Sequence, residues 1–191
     1  MDIQKLNTTD VILKDSKKEV CWYVMRAYKT ESKAEEALSG EYGLPFFIPK
    51  QYIIRTFHGK KTRSLVPAIP SLVFVYASRE SLNDFKRRFP FLQYVMLKSM
   101  KGSEYMKVPT HEMENFIKVS THAEEDLIYY RPEEINIKGG SRIRVLGGPF
   151  DGAVGYFVKI QGKRNRRFVV KLDGVMAISV EVKPDLVEVI G

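Results

Sequence analysis

The chain has 191 residues, enough for one domain or two small ones with a real core, and its 44% hydrophobic and 28% charged content is that of a soluble globular protein. No apolar run approaches the roughly 20 residues that span a bilayer, residues 1–20 lack the apolar stretch of a secretory leader, and a single cysteine, Cys21, excludes an intrachain disulfide and a cysteine-rich zinc site. These features point to the cytoplasm and away from membranes. The net charge of +8 is uneven: residues 20–120 hold 16 Lys and Arg against 9 Asp and Glu, residues 121–137 hold 1 against 5, and residues 138–191 hold 10 against 5. Two basic blocks around an acidic segment predict two domains and a linker, and they favour polyanionic partners.

Residues 1–19 are polar and weakly patterned, and read as a flexible arm. The apolar run 20–25, Val-Cys-Trp-Tyr-Val-Met, predicts an interior strand. Ser32 with Glu35 reads as a capping box, Ala34, Ala37 and Leu38 follow at helical spacing, and Gly40 ends the helix. Residues 46–48 and 51–56 predict an extended region that turns at His58-Gly59-Lys60-Lys61 and returns through Leu65-Val66. Pro67 and Pro70 precede a second interior-type strand, 72–76. Ser78 or Ser81 caps a helix bearing Leu82, Phe85 and Phe89, which Pro90 stops. Residues 92–97 read as a strand, and Thr110 caps a last helix with Met113, Phe116 and Ile117 on one face.

Residues 121–137 carry Glu124-Glu125-Asp126 and Pro132-Glu133-Glu134, the composition of a linker. Beyond it Ile143 and Val145 alternate with Arg142 and Arg144, a strand with one buried face. Gly147-Gly148-Pro149 breaks that strand, Phe150 follows at the loop tip, and Asp151-Gly152 permits a tight turn. Residues 153–160 form the next strand, with Gly155 marking a bulge or a sharp bend. A polar tip at 161–165, a strand at 168–172, a turn at Asp173-Gly174 and strands at 175–182 and 186–190 complete five strands, enough for a small closed barrel. The fold class is α+β: an antiparallel sheet with helices at 20–120, an acidic linker at 121–137 and a β-barrel at 138–191.

The stretch from Lys138 to Gly155, with its basic strand, Gly-Pro-Phe loop and following glycine, resembles a KOW motif. The first half resembles the NGN domain of the NusG family of transcription factors, through Trp22-Tyr23-Val24, Pro70 before the apolar strand, and Val108-Pro109-Thr110-His111-Glu112-Met113 before the last helix. The form Gly147-Gly148-Pro149-Phe150-Asp151-Gly152 looks most like operon-specific paralogues of the UpxY and RfaH type. Ser71-Leu72 departs from the family, which usually has Gly-Tyr there.

The resemblance implies an elongation or antitermination factor whose NGN domain binds the clamp of the RNA polymerase largest subunit, here through Trp22, Ile69, Pro70 and Leu72; an interior-strand position makes Trp22 and Leu72 equally readable as core residues only. It implies that Arg55, His58, Lys60, Lys61 and Arg63, gathered about one hairpin, face upstream or non-template DNA, where Lys and Arg contacts to phosphate give affinity without sequence choice. It implies that Gly148, Pro149, Phe150, Asp151 and Gly152 recruit ribosomal protein uS10 or the termination factor Rho; by its place at a Gly-Pro loop tip Phe150 is either a partly exposed aromatic anchor or a side chain folded back to plug the barrel end. Lys163, Arg164, Arg166 and Arg167 crowd another hairpin tip, where RNA contact competes with simple edge solubility. A ribosome-associated or RNA-binding KOW protein with a structural role is the alternative. A switch of the C-terminal half to a helical hairpin is disfavoured by its Val, Ile and Phe content and its glycines.

No catalytic group is legible. His58, His111 and His122 lack metal-ligand spacing, Cys21 sits in an interior strand, and no Gly-rich loop ends in Lys-Ser or Lys-Thr. The reading is a monomeric, cofactor-free, metal-free binding protein.

Overall fold

A computed structural model describes residues 19–28, 31–40, 42–99, 102–122 and 127–191; the N-terminal arm at 1–18 and the acidic run at 124–126 lie outside them. In chain order the first elements are β1 (Val20–Ala27), α1 (Glu31–Ser39), β2 (Phe46–Phe47), β3 (Lys50–Phe57), β4 (Lys60–Pro67) and β5 (Leu72–Ser78). Then come α2 (Arg79–Arg88), β6 (Leu92–Tyr94), β7 (Met96–Ser99), β8 (Gly102–Tyr105), β9 (Lys107–Val108) and α3 (Thr110–His122). The C-terminal part holds β10 (Ile128–Tyr130), β11 (Ser141–Val145), β12 (Val154–Lys159), β13 (Arg166–Leu172), β14 (Met176–Val180) and β15 (Val187–Val189). The chain forms two compact units, one of Met1–Ile48 with Pro70–Pro109, the other of Pro49–Ile69 with Thr110–Gly191. The β3–β4 hairpin and α3 therefore group with the C-terminal strands.

In the first unit β1 lies between β5 and β6, β2 flanks β5, and β9 adds to β1. The β1–β5 register runs from Val20 opposite Ser78 to Arg26 opposite Leu72. Opposed residues share a face, so Tyr23, Met25, Val73, Val75 and Ala77 point one way, where they pack with Ala34 and Leu38 of α1 and Leu82 and Phe85 of α2. Trp22, Val24, Leu72 and Phe74 point the other way and are also buried. Ser78 caps α2, its Oγ accepting from the Ser81 N–H at 3.1 Å. The α1 helix begins at Glu31, so Ser32 is already helical and caps nothing. Instead the Glu31 carboxylate accepts the N–H of Ser71, which sits at φ 66°, a left-handed conformation that favours glycine. The strand read at 92–97 divides at Val95, whose N–H goes to the Val24 carbonyl (2.9 Å), and β7 turns back as a hairpin with β8.

In the second unit six antiparallel strands run in the order β10-β14-β13-β12-β11-β15. The sixth strand, β10, comes from the segment read as a linker. It pairs with β14 from Ile128 opposite Ser179 to Tyr130 opposite Ala177, and Ile135 and Ile137 pack on Val158, Val169 and Ala177. Residues 127–137 are thus folded onto the sheet. Helix α3 buries Met113, Phe116 and Val119 and packs on β13, β14 and the 3-10 turn Gly148–Phe150. Asn115 treats β12 as a neighbouring strand would: its amide oxygen accepts the Val154 N–H at 2.9 Å and its amide nitrogen donates to the Val154 carbonyl.

Gly155 marks a close approach rather than a bulge. The β11–β12 register continues through it, with Ile143 opposite Gly155 and Arg144 opposite Val154. A Cβ there would meet the Val169 carbonyl oxygen at 2.4 Å and the Phe168 ring at 2.6 Å. Gly155→Ala is expected to lower unfolding free energy by about 3 kcal/mol, the overpacking range, measured by urea denaturation.

Arg167 is 2% exposed. Its Nε donates to Ser179 Oγ (2.9 Å), one terminal nitrogen to the Ser179 carbonyl (3.3 Å) and the other to the Glu181 carboxylate (3.3 Å). Arg167→Ala removes these donors from buried Ser179, empties the space the guanidinium fills and should cost about 3 kcal/mol, whereas the same change at exposed Arg166 should stay within about 0.5 kcal/mol. Equal midpoint shifts in thermal unfolding would contradict this assignment.

Candidate functional site

The β3–β4 hairpin gathers the five cations read from the sequence. Its register sets Arg55 opposite Thr62, Thr56 opposite Lys61 and Phe57 opposite Lys60. His58 and Gly59 make the two-residue turn with φ of 46° and 76°, the positive values that a tight hairpin requires. Strand alternation divides the cations: Lys61 and Arg63 share a face with Tyr52 and Ile54, while Arg55 and Lys60 share the other with Phe57. No Asp or Glu occurs between residues 42 and 79, so no acid close in sequence offsets this charge. The Arg63 guanidinium lies 3.7 Å over the Tyr52 ring, and the Phe57 and His58 rings meet edge to face at 4.2 Å.

Ile54 and Phe57, 72% and 73% exposed, were not legible as surface groups, because apolar residues in a strand ordinarily face a core. Only the absence of acids around them distinguishes this hairpin from a buried one. Exposed apolar side chains between unopposed cations are the composition that single-stranded nucleic acid meets, with rings for bases and cations for phosphates.

The proposed clamp residues fall into two kinds. Trp22 and Leu72 are 3% and 4% exposed, on one face of β1 and β5, with Trp22 against Tyr76 at 5.2 Å between ring centroids. Pro70 is exposed and Ile69 half-buried. Pro70 and Ile69 are therefore the accessible members.

The loop from Gly148 to Gly152 differs from its reading in one respect. Gly147 and Gly148 both take positive φ, 84° and 72°, and the 3-10 turn they begin carries Phe150 inward, to 7% exposure. Phe150 is therefore a packed side chain: the reading as an exposed anchor is corrected, and the alternative that folds the ring back agrees with its burial. Gly148, Pro149, Asp151 and Gly152 remain exposed. The Asp151 carboxylate accepts the Gly147 N–H at 2.6 Å, and Lys118 of α3 donates to the Asp151 carbonyl.

The four cations near 163–167 also separate. Arg164 and Arg166 are exposed and line a cleft with Lys159. Lys163 is half-buried in the turn, its N–H on the Ile160 carbonyl at 3.1 Å. Arg167 points to the opposite face and is committed to Ser179 and Glu181, which removes it from any RNA surface. On α2, Arg87 pairs with Asp84 at 3.0 Å and the Lys86 ammonium lies 4.3 Å over the Tyr94 ring. Burial pushes the Tyr94 hydroxyl pKa up to about 12. Among the described residues no group of three or more His, Cys, Asp and Glu is placed to hold a metal ion, and no helix is long and apolar enough to cross a membrane.

No curated protein matches the chain. Among solved structures, one described as "Domain interaction in Thermotoga maritima NusG" is 21% identical over 91% of this chain and 98% of that one, with a TM-score of 0.45. The family model described as "Transcription termination factor nusG" matches residues 20–117. That match spans a little over half of the sequence, from β1 through most of α3, and on it the chain belongs to the NusG family of transcription factors.

Proposed function

We propose that the protein is a transcription elongation regulator of the operon-specific, antiterminating kind. It binds the clamp of the RNA polymerase largest subunit through Ile69 and Pro70, with Trp22 and Leu72 packed in the core behind them, and lays the β3–β4 hairpin against upstream or non-template DNA. The C-terminal strands recruit uS10 or Rho through the exposed edge Gly148, Pro149, Asp151 and Gly152. Its work is binding and bridging, without bond chemistry. The observation that carries the nucleic-acid part is the hairpin itself, with Arg55, His58, Lys60, Lys61 and Arg63 unopposed by any acid between residues 42 and 79. Family membership supports the polymerase part.

Substituting Trp22 or Leu72 would damage the core and confuse binding with folding. Ile69→Asp avoids this. In co-purification of the full chain with core RNA polymerase it should weaken binding about tenfold or more, as loss of a central apolar anchor does, with an unchanged unfolding midpoint. Undiminished capture would remove these residues from the interface. Lys60→Glu with Lys61→Glu should lower affinity for an artificial transcription bubble and reduce the slope of log affinity against log salt by roughly two, about one for each phosphate no longer neutralised. An unaltered slope would make the hairpin a bystander.

A further inference from the structure

The end of the C-terminal sheet farthest along β12 holds a cleft of about 550 Å³, lined by Phe157, Lys159, Arg164, Arg166, Glu181 and Pro184 among others. Its cations converge by register. Lys159 and Arg166 are opposed across β12 and β13, as are Phe157 and Phe168 two positions earlier on the same face. Phe168 is buried, Phe157 half-buried, and Pro184 and Val182 add apolar lining on the β14 side. Arg164 reaches the same space from the turn, where its carbonyl accepts the Lys159 ammonium. The one acid in the wall, Glu181, is committed to the buried Arg167 guanidinium at 3.3 Å. Arg167 thereby neutralises it from beneath, and the charge of Lys159, Arg164 and Arg166 is left for a ligand.

We infer that this cleft binds a single-stranded nucleic acid, with Lys159, Arg164 and Arg166 on its phosphates and Phe157 beside a base. Two arginine forks suit phosphate oxygens in a bidentate manner. A partly exposed ring between cations suits an unstacked base, which a duplex does not offer. The exposed Asn165 amide at the rim supplies a donor and an acceptor to a base edge. An acidic peptide would use the cations and leave the Phe157 ring without a partner. This site does not depend on the clamp assignment, since polymerase takes no part in it.

The test uses the full chain carrying Lys60→Glu and Lys61→Glu, so that the β3–β4 hairpin contributes little, with fluorescein-labelled oligouridylate, oligothymidylate and a short DNA duplex read by anisotropy. Adding Arg164→Glu and Arg166→Glu should weaken single-strand binding about tenfold or more and lower the salt slope by roughly two. Phe157→Leu, which keeps an apolar side chain, should weaken it about fivefold by removing the stacking surface. Arg142→Glu, on β11, controls for net charge and should change affinity by less than about twofold. Tighter binding of one oligomer over the other identifies the source as RNA or DNA, and either result supports the site. Unchanged affinity in the cleft variants, an equal loss in the Arg142 control, preference for duplex, or displacement by polyglutamate as effective as by oligonucleotide would each overturn the proposal. Should the double reversal unfold the chain, Lys159→Gln with Arg164→Gln is expected to show the same loss.

Discussion

The pairing of β1 with β5 is the constraint on which the first unit depends. From Trp22 to Met25 and from Leu72 to Val75 every side chain is buried, on both faces of the pair. Fully burying such residues contributes roughly 1.5–3 kcal/mol each, so this ladder outweighs any single cap or ion pair around it. A strand apolar on both sides needs cover on both, and α1 and α2 are held to one face by that need. The short contacts before β5 follow from the same demand. The Ser71 carbonyl accepts from the Ala27 N–H at 2.9 Å, and its own N–H is tied to Glu31, which holds a non-glycine residue in a left-handed turn so that Leu72 starts in register.

Charge in this protein is sorted by how it is compensated. Arg167 is neutralised inside the sheet. Arg79 and Lys86 are spread over the rings of Tyr105 and Tyr94, where an ammonium or guanidinium gains from the π face without an acid. Among the described residues Arg55, Lys60 and Lys61 of the β3–β4 hairpin and Arg164 and Arg166 of the cleft beside β12 show neither kind of partner; Arg63 lies over Tyr52 and Lys159 holds a carbonyl oxygen. Cations without an acid or a ring beside them, gathered on neighbouring antiparallel strands, suit a polyanion.

Much of the fold was legible because its strands are continuously apolar or its turns carry glycine. The runs at Trp22 and Leu72, the Asp173-Gly174 turn and the helix capped by Ser78 all announce themselves locally. What was not legible depended on distant partners. Ile128-Tyr129-Tyr130 is three residues long beside an acidic run, and only β14 makes it a strand. The β7–β8 hairpin was hidden in what reads as one strand because the break at Val95 serves a hydrogen bond to Val24. Phe150 looked exposed because a Gly-Pro tip suggests a projecting loop; the sign of φ at Gly147 and Gly148 decides otherwise, and composition does not reveal it. The hairpin cations were readable from their clustering about one glycine turn, whereas the exposure of Ile54 and Phe57 was not.

Arg166 and Arg167 are chemically identical neighbours with opposite surroundings, and β13 gains something from the contrast. Phe168, Val169, Val170 and Leu172 are all buried, so the strand is apolar on both faces and hydrophobicity alone cannot tell it from a copy shifted by one position. A one-residue slip turns every side chain to the other face. It would carry Arg167 away from Ser179 and Glu181, and in one direction into the fully buried site that Phe168 now fills. The buried guanidinium thus acts as a phase mark for the sheet, excluding the misaligned pairing that its apolar neighbours would tolerate.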